Sequence, residues 1–412
     1  MIEKTKEYER NCKIMKKFSK NPALTSLYTA DPSAHVWEDG RIYIYASHDQ
    51  DPPRGCDLMD CYHVFSSSDM ANWRDEGEIL CSDDVEWGRP EGGFMWAPDA
   101  AYKNGKYYFY YPHPSGSDWN NTWKIAVAVS DHPAKDFKDL GPIAGLGGFA
   151  LIDPCVFVDN DGRAYMYYGG GGKCLGGEMN DDMISMKTEP VPMVGVEDFH
   201  EAAWVFRRGD MYYLTYSDNL PGKNRLCYST SDSPLGPWTY RGVYLDSTDC
   251  DTSHGSVVEY KGQWYQFYHN CSISHRGNLR SVCIDKIEFD ENGLMKVIEQ
   301  TADGIAALAD TPEPALPAEV IFEEKRTIED GAETEFKVCG KDGGRVQLRI
   351  FCEETDHVRV RVFVNGKDCR LMNLIGGEGY QTFMLNPGKN EIKLVAHQNG
   401  ATITKVQAEY LD

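Results

Sequence analysis

One hairpin pattern recurs five times between Asp31 and Asn270, and it constrains the fold more than any other feature of the chain. The segments are DPSAHVWEDGRIYIYAS, WAPDAAYKNGKYYFYYP, DPCVFVDNDGRAYMYYG, EAAWVFRRGDMYYLTYS and HGSVVEYKGQWYQFYHN. Each holds a short apolar run, a two-residue turn ending in glycine and an aromatic-rich run, the signature of a tight β-hairpin. The turn glycines are Gly40, Gly105, Gly162, Gly209 and Gly262, and three residues after each comes Tyr43, Tyr108, Tyr165, Tyr212 or Tyr265. Two residues further on stand Tyr45, Tyr110, Tyr167, Leu214 and Phe267. Spacing by two keeps these side chains on one face of a strand, so all five hairpins share a register.

Successive turn glycines leave room for four short strands. Between the hairpins, SSSDMANW (66–73), SDHPAKDF (130–137) and SDSPLGPW (231–238) each run from a Ser-Asp turn to an aromatic, as outer blade strands would. Five repeats of four strands predict an all-β chain built on a five-bladed β-propeller. The N-terminal tail is the only helix-like segment. Residues 1–305 are assigned to the propeller. The Ala- and Pro-rich stretch 306–318 reads as a linker. In 319–412 the strictly alternating GGRVQLRIF, HVRVRVFVNGKDC and NEIKLVAHQNGATITKVQAEYLD predict a β-sandwich accessory domain. All nine Trp lie at or before Trp264, so the sandwich, similar to a carbohydrate-binding module in its strand pattern, is expected to brace the propeller rather than to bind sugar.

Counting back from the glycines locates a candidate site. Nine residues before Gly40, Gly105 and Gly162 stand Asp31, Trp96 and Asp153; eight before Gly209 and Gly262 stand Glu201 and His254. The first strand of every propeller blade lines the central channel, so these five residues converge on one axis. An Asp before Pro, as in Asp31-Pro32 and Asp153-Pro154, also starts strands without any chemical duty. Three carboxyls at matched offsets point further. Crowded carboxyls raise each other's pKa, leaving one protonated as a general acid and another ionised as a general base. Two carboxyls flanking an acetal oxygen, about 6.5–9.5 Å apart, hydrolyse a glycosidic bond with inversion.

The five segments together, over roughly residues 22–300, resemble glycoside hydrolase family 43, whose members include arabinofuranosidases and xylosidases. The resemblance implies that Asp31 is the general base, Asp153 a modulator of the acid's pKa and Glu201 the general acid. It places Trp96, His254 and an arginine, Arg280 in GNLRSVCID before Arg276, against the sugar. It also implies a hydrated Ca²⁺ near His254, reached through water, and no cofactor for the chemistry itself. The activity implied is exo-acting α-L-arabinofuranosidase on arabinoxylan- or arabinan-derived oligosaccharides, with β-D-xylosidase or both activities as the alternative. Asp99 reads as a turn residue, while His48-Asp49, Trp119 and Trp123 fall in the two longest loops, where they would shape the rim.

Composition bounds the partners. A net charge of −22 argues against nucleic acid. The first twenty residues lack an apolar core and no stretch approaches 18 apolar residues, so neither a signal peptide nor a membrane span is expected. The 13 Cys are odd in number and scattered, which predicts free thiols in a reducing cytoplasm. Aromatics make up 12% of residues, which suits both a plant cell-wall oligosaccharide substrate and an all-β core. A non-catalytic sugar-binding propeller would use the same aromatics but would not need three axial carboxyls. A protein-interaction scaffold would instead expose apolar patches.

Overall fold

The computed structural model describes residues 16–51, 55–148, 150–218, 220 and 223–412, so the tail expected to be helix-like lies outside the described residues. Five sheets follow one another along the chain. Blade 1 comprises β1 (Thr29–Val36), β2 (Ile42–His48), β3 (Cys61–Ser67) and β4 (Arg74–Cys81). Blade 2 comprises β5 (Asp99–Lys103), β6 (Lys106–Pro114), β7 (Trp123–Ser130) and β8 (Lys138–Pro142). Blade 3 runs β9 (Cys155–Val158), β10 (Ala164–Tyr168), β11 (Leu175–Glu178) and β12 (Val191–Pro192). Blade 4 runs β13 (Glu201–Arg208), β14 (Met211–Ser217), β15 (Leu226–Ser231) and β16 (Thr239–Leu245). All are antiparallel meanders, and the first strands β1, β5, β9 and β13 pack around a common axis.

Blade 5 departs from the expected four strands. It has three, β17 (Ser256–Tyr260), β18 (Gln263–Asn270) and β19 (Ser281–Ile287), among the described residues. The backbone N–H of Ala23 donates to Val282 at 2.7 Å, and Ile284 N–H donates to the Asn21 side chain at 2.8 Å. Ser19, Lys20 and Asn21 are themselves bonded to Ile305, Asp303 and Ala302. Both ends of the propeller chain therefore seal the edge that a fourth strand would cover.

The hairpin turns are of two kinds rather than one. Asn104-Gly105 and Lys261-Gly262 are two-residue turns with positive φ at both positions, the geometry that matches strand twist. Blade 4 turns through Gly209-Asp210, with glycine first. In blades 1 and 3 the pairs Trp37–Arg41 and Asp159–Arg163 close three-residue loops. The aromatic register survives these differences. The phenols of Tyr45, Tyr110 and Tyr167 are fully buried and donate to the carbonyls of Pro133, Met183 and Pro234, each in the next blade. In blades 1 to 3 one side chain thus supplies apolar area, worth about 1.5–3 kcal/mol on full burial, and bonds a carbonyl of the next blade; Leu214 and Phe267 at the same position of blades 4 and 5 supply the area alone.

The C-terminal unit is a β-sandwich. One sheet orders β20 (Ala318–Phe322), β28 (Ala401–Tyr410), β23 (Gly344–Cys352) and β26 (Glu378–Leu385), with β21 (Arg326–Ile328) also on β28. The other orders β22 (Glu333–Cys339), β27 (Lys389–His397), β24 (Val358–Val364) and β25 (Lys367–Leu374). Val358, Val360, Val362 and Val364 are buried in the core between them. The sandwich docks on the outer edge of blade 1. Asp75 accepts from Thr382 N–H at 2.8 Å, its own N–H donates to Gln347 at 3.0 Å, and Arg345 reaches Glu76 at 3.1 Å. Within 306–318, Glu313 is buried and accepts from Arg41, Arg74 and the Ser68 N–H.

One cysteine pair departs from the expectation of free thiols: Cys61 and Cys81 form a disulfide across β3 and β4, while the cysteines from Cys155 to Cys369 are free. No described helix is long and apolar enough to cross a membrane.

Candidate active site

The backbone is strained where the carboxyls sit. Asp31 and Asp153 both have φ of 51°, and Ala202, next to Glu201, has φ of 65°. Left-handed backbone is uncommon for residues with a Cβ and is costly before proline. In β1 and β13 the strain coincides with a bulge, between Ala30 and Ser33 and between Glu201 and Trp204. Bulges re-aim side chains near the ends of strands. Here they turn Asp31 and Glu201 into the top of the channel.

Asp31, Trp96, Asp153, Glu201, His254 and Arg280 line one pocket of about 220 Å³, together with Cys56, Met59, Ala97, Ile152 and Thr252. It is smaller than the ~300–1,000 Å³ of drug-sized sites and suits one sugar ring. Asp31 is held on all sides. Its Oδ1 accepts from Arg280 Nη1 at 2.9 Å, its Oδ2 from Ser47 Oγ at 2.8 Å, and its N–H donates to His269 Nδ1 at 3.1 Å. Burial pushes its pKa up, but Arg280 foremost, then the two imidazoles and the Ser47 hydroxyl, outweigh burial and hold it below the ordinary value. Asp31 is therefore ionised at neutral pH.

The other two carboxyls behave oppositely. Burial, then the charge of Asp31, pushes Glu201 up to about 7. Burial, then the charges of Glu201 and Asp31, raises Asp153. Repulsion is reciprocal, so the pair retains a proton near neutrality. The two differ in setting: Asp153 accepts the Ala202 N–H at 2.9 Å, a bond that favours its charged form, whereas the Glu201 side chain is 19% exposed toward the pocket, where a departing oxygen can reach its proton. One cavity thus holds a carboxylate that can take a proton and a carboxylic acid that can give one.

The walls have distinct characters. The Trp96 ring lies 4.4 Å from Trp123 and 6.2 Å from Trp119 between centroids, and Trp96 Nε1 donates to Cys56 O at 2.9 Å. Trp119, in the loop after β6, and Trp123, which opens β7 rather than lying in that loop, are thereby joined to the pocket wall. His254 is buried, with Nδ1 3.9 Å from Asp153, and burial lowers its pKa. As a neutral imidazole it is a weak partner for Ca²⁺, which takes six to eight oxygens. Asp31 and Asp153 are already engaged, and among the described residues no group of three potential ligands includes His254. The donor set fits no directly ligated calcium and leaves only an ion holding its own water.

Arg280 meets the pocket with its guanidinium committed: Nε and Nη2 donate to Asp49 at 2.9 and 2.8 Å, and Nη1 to Asp31 and Thr252. Arg276 instead pairs with Asp51 at 2.9–3.1 Å. Asp99 is not a turn residue. It opens β5, is buried, and accepts from Ser33, His35 and the Val156 N–H, tying three blades together below the pocket.

Four contributors escaped the count from the glycines. Ser47 and His269 both touch Asp31, and both lie seven residues after a turn glycine. The aromatic register, extended by one more step of two, points to them. Asp49 stands one further step of two along, nine residues after Gly40, but lies past the end of β2, where the strand register no longer applies. His200, whose Nε2 is 3.7 Å from Glu201, is likewise outside the repeat register.

The model of glycosyl hydrolases family 43 matches residues 19–295. A xylosidase/arabinosidase from Humicola insolens is 36% identical over 66% of this chain and 97% of its own length. A xylosidase/arabinosidase from Bacteroides ovatus is 34% identical over 66% and 95%. Among solved structures, a family 43 enzyme from Xanthomonas citri complexed with xylose superposes with a TM-score of 0.63, at 33% identity over 70% of this chain and 96% of that one. An arabinoxylan arabinofuranohydrolase from Bacillus subtilis, at 21% identity, covers 95% of this chain with a TM-score of 0.61, so the likeness of fold extends through the sandwich. With its matched propeller and its axial carboxyls, this chain is a glycoside hydrolase and belongs to family 43.

Proposed function

We propose that the protein is an inverting, exo-acting hydrolase that releases terminal α-L-arabinofuranosyl residues from arabinoxylan- or arabinan-derived oligosaccharides. The observation that carries the reading is the opposed charge of two carboxyls in one small pocket: Asp31 ionised against Arg280, Glu201 protonated to about pH 7. Asp31 takes a proton from water as the water oxygen bonds to the anomeric carbon. The glycosidic C–O bond breaks, and Glu201 gives its proton to the departing oxygen. Single displacement inverts the anomer. Asp153 keeps Glu201 protonated through its charge, and His254 and Trp96 bound the sugar. Each step is carried by a side chain of the pocket.

A second reading, β-D-xylosidase or both activities together, has its own support. A relative named beta-xylosidase, from Xylanibacter ruminicola, is 33% identical over 97% of its length, and the two relatives above carry both activities in their names. Turnover of p-nitrophenyl α-L-arabinofuranoside against the β-D-xyloside separates the readings. A tenfold preference for the xyloside transfers the assignment to the second. Proton NMR of the first-formed sugar tests the mechanism, and a retained anomer rules out single displacement.

A further inference from the structure

We propose that Asp49 is a positioning residue for catalysis, acting on the general base through Arg280. The inference rests on the reading of Asp31 as that base. Asp49 follows β2 in blade 1 and Arg280 precedes β19 in blade 5, so the pair joins the first and last blades across the top of the ring. Asp49 Oδ2 accepts both the backbone N–H and Nε–H of Arg280, at 2.8 and 2.9 Å, and Oδ1 accepts Nη2 at 2.8 Å. Asp49 is itself fixed by its N–H on Tyr28 O at 2.9 Å, and its side chain is 1% exposed. The guanidinium is a rigid fork. With one edge seated on Asp49, its Nη1 corner is aimed at Asp31 Oδ1 and Thr252 Oγ1. Nη2 makes only a long contact, 3.5 Å, to Asp31 Oδ2, an oxygen that also accepts the Ser47 hydroxyl at 2.8 Å.

Asp49 therefore decides how Arg280 is shared. Without it, the fork is free to close on Asp31 as a bidentate pair, the arrangement Arg–carboxylate pairs favour. Both lone-pair faces of the base would then be engaged, and the oxygen that must orient water would be less available. Asp49 holds the arginine to one short bond with the base, at 2.9 Å, and keeps the second contact long, at 3.5 Å.

The test uses the full-length enzyme, after wild-type hydrolysis of p-nitrophenyl pentosides and loss of activity in Asp31→Asn have been established. Failure of either overturns the reading beneath the proposal, not the proposal alone. Asp49→Asn is expected to lower kcat about 10–100-fold, as small misplacements of reacting groups do, with KM within about twofold. The loss should persist on a 2,4-dinitrophenyl glycoside, whose departure needs no acid. In an Arg280→Lys background the same substitution should cost nothing more. Asp49→Glu, which keeps the charge and protects folding, should lose kcat as well because its carboxylate is displaced by a methylene. Additive losses in the double variant, a loss that disappears with the dinitrophenyl leaving group, or wild-type kcat in both single variants would each overturn the assignment.

Discussion

Asp31 and His269 are joined through the main chain: the Asp31 N–H donates to Nδ1 of His269 at 3.1 Å, while the ring's Nε2 bonds Thr252 O at 2.9 Å. The carbonyl can only accept, so Nε2 carries the hydrogen and Nδ1 is free to receive the amide. Burial, then the charge of Arg280, depresses the imidazole's pKa to about 3, so the ring is neutral wherever the enzyme works. Its duty is to satisfy the buried amide of a residue held at positive φ.

His269→Leu leaves that amide without a partner, and the expected loss is about 1–3 kcal/mol of stability, with kcat reduced. Between pH 4 and 7 the shape of the kcat/KM profile should not change, because no proton leaves the ring in that window. Denaturant unfolding and a pH series check both. Disappearance of an ionisation from that window after substitution would show that His269 titrates in the native enzyme.

Glu201→Gln removes the acid. A fall in kcat of about 10²–10⁴ is expected, smaller on substrates with acidic leaving groups. In the wild type the alkaline limb of kcat/KM should fall near 7, since the free enzyme loses the Glu201 proton there. Steady-state rates on a leaving-group series measure both effects.

Asp153→Asn deletes a negative charge beside the acid. In the proposed scheme Asp153 is an anion that raises the pKa of Glu201, so its removal lets Glu201 ionise earlier, and the alkaline limb should move to lower pH. The acid limb, set by Asp31 and its Arg280 partner, should move much less. An unmoved alkaline limb with a uniformly lower rate would make Asp153 an orienting residue alone.

Truncation after Pro317 strips β23 and β26 from β4 and leaves Asp75, which is fully buried, without Gln347 and Thr382. A lower Tm or soluble yield is expected, while an isolated 319–412 fragment should not bind xylan in a pull-down. Retention of that fragment on xylan would assign it a sugar site.

The propeller and its axial residues were legible because a blade repeat converts sequence offset into position around an axis. Asp31, Trp96, Asp153, Glu201 and His254 meet in one pocket for that reason. What lay outside the register was not legible. The three-blade tie at Asp99 depends on side chains of blade 1 and a backbone amide of blade 3 that the repeat register does not bring to it. The Cys61–Cys81 pairing depends on the alignment of β3 with β4, which no turn glycine marks. The short fifth blade had no distinguishing trace: the Ser-Asp segment running to an aromatic is missing from blade 5 but also from blade 3, which has four strands. Arg280 was placed by resemblance, but its grip by Asp49 joins two loops whose lengths obey no repeat.

The separation of those two loops along the chain has a consequence for how activity arises. Arg280 meets Asp49 across 231 residues and Asp31 across 249. Until β19 has been synthesised and seated, Asp31 faces other acids with no cation to offset it, and the pocket is electrostatically unfavourable. Contacts of such range form late in folding. A ribosome-bound chain with four complete blades would thus be inert, and in refolding the return of turnover should trail the burial of tryptophan. The enzyme's own product then becomes a clock for the moment the ring shuts.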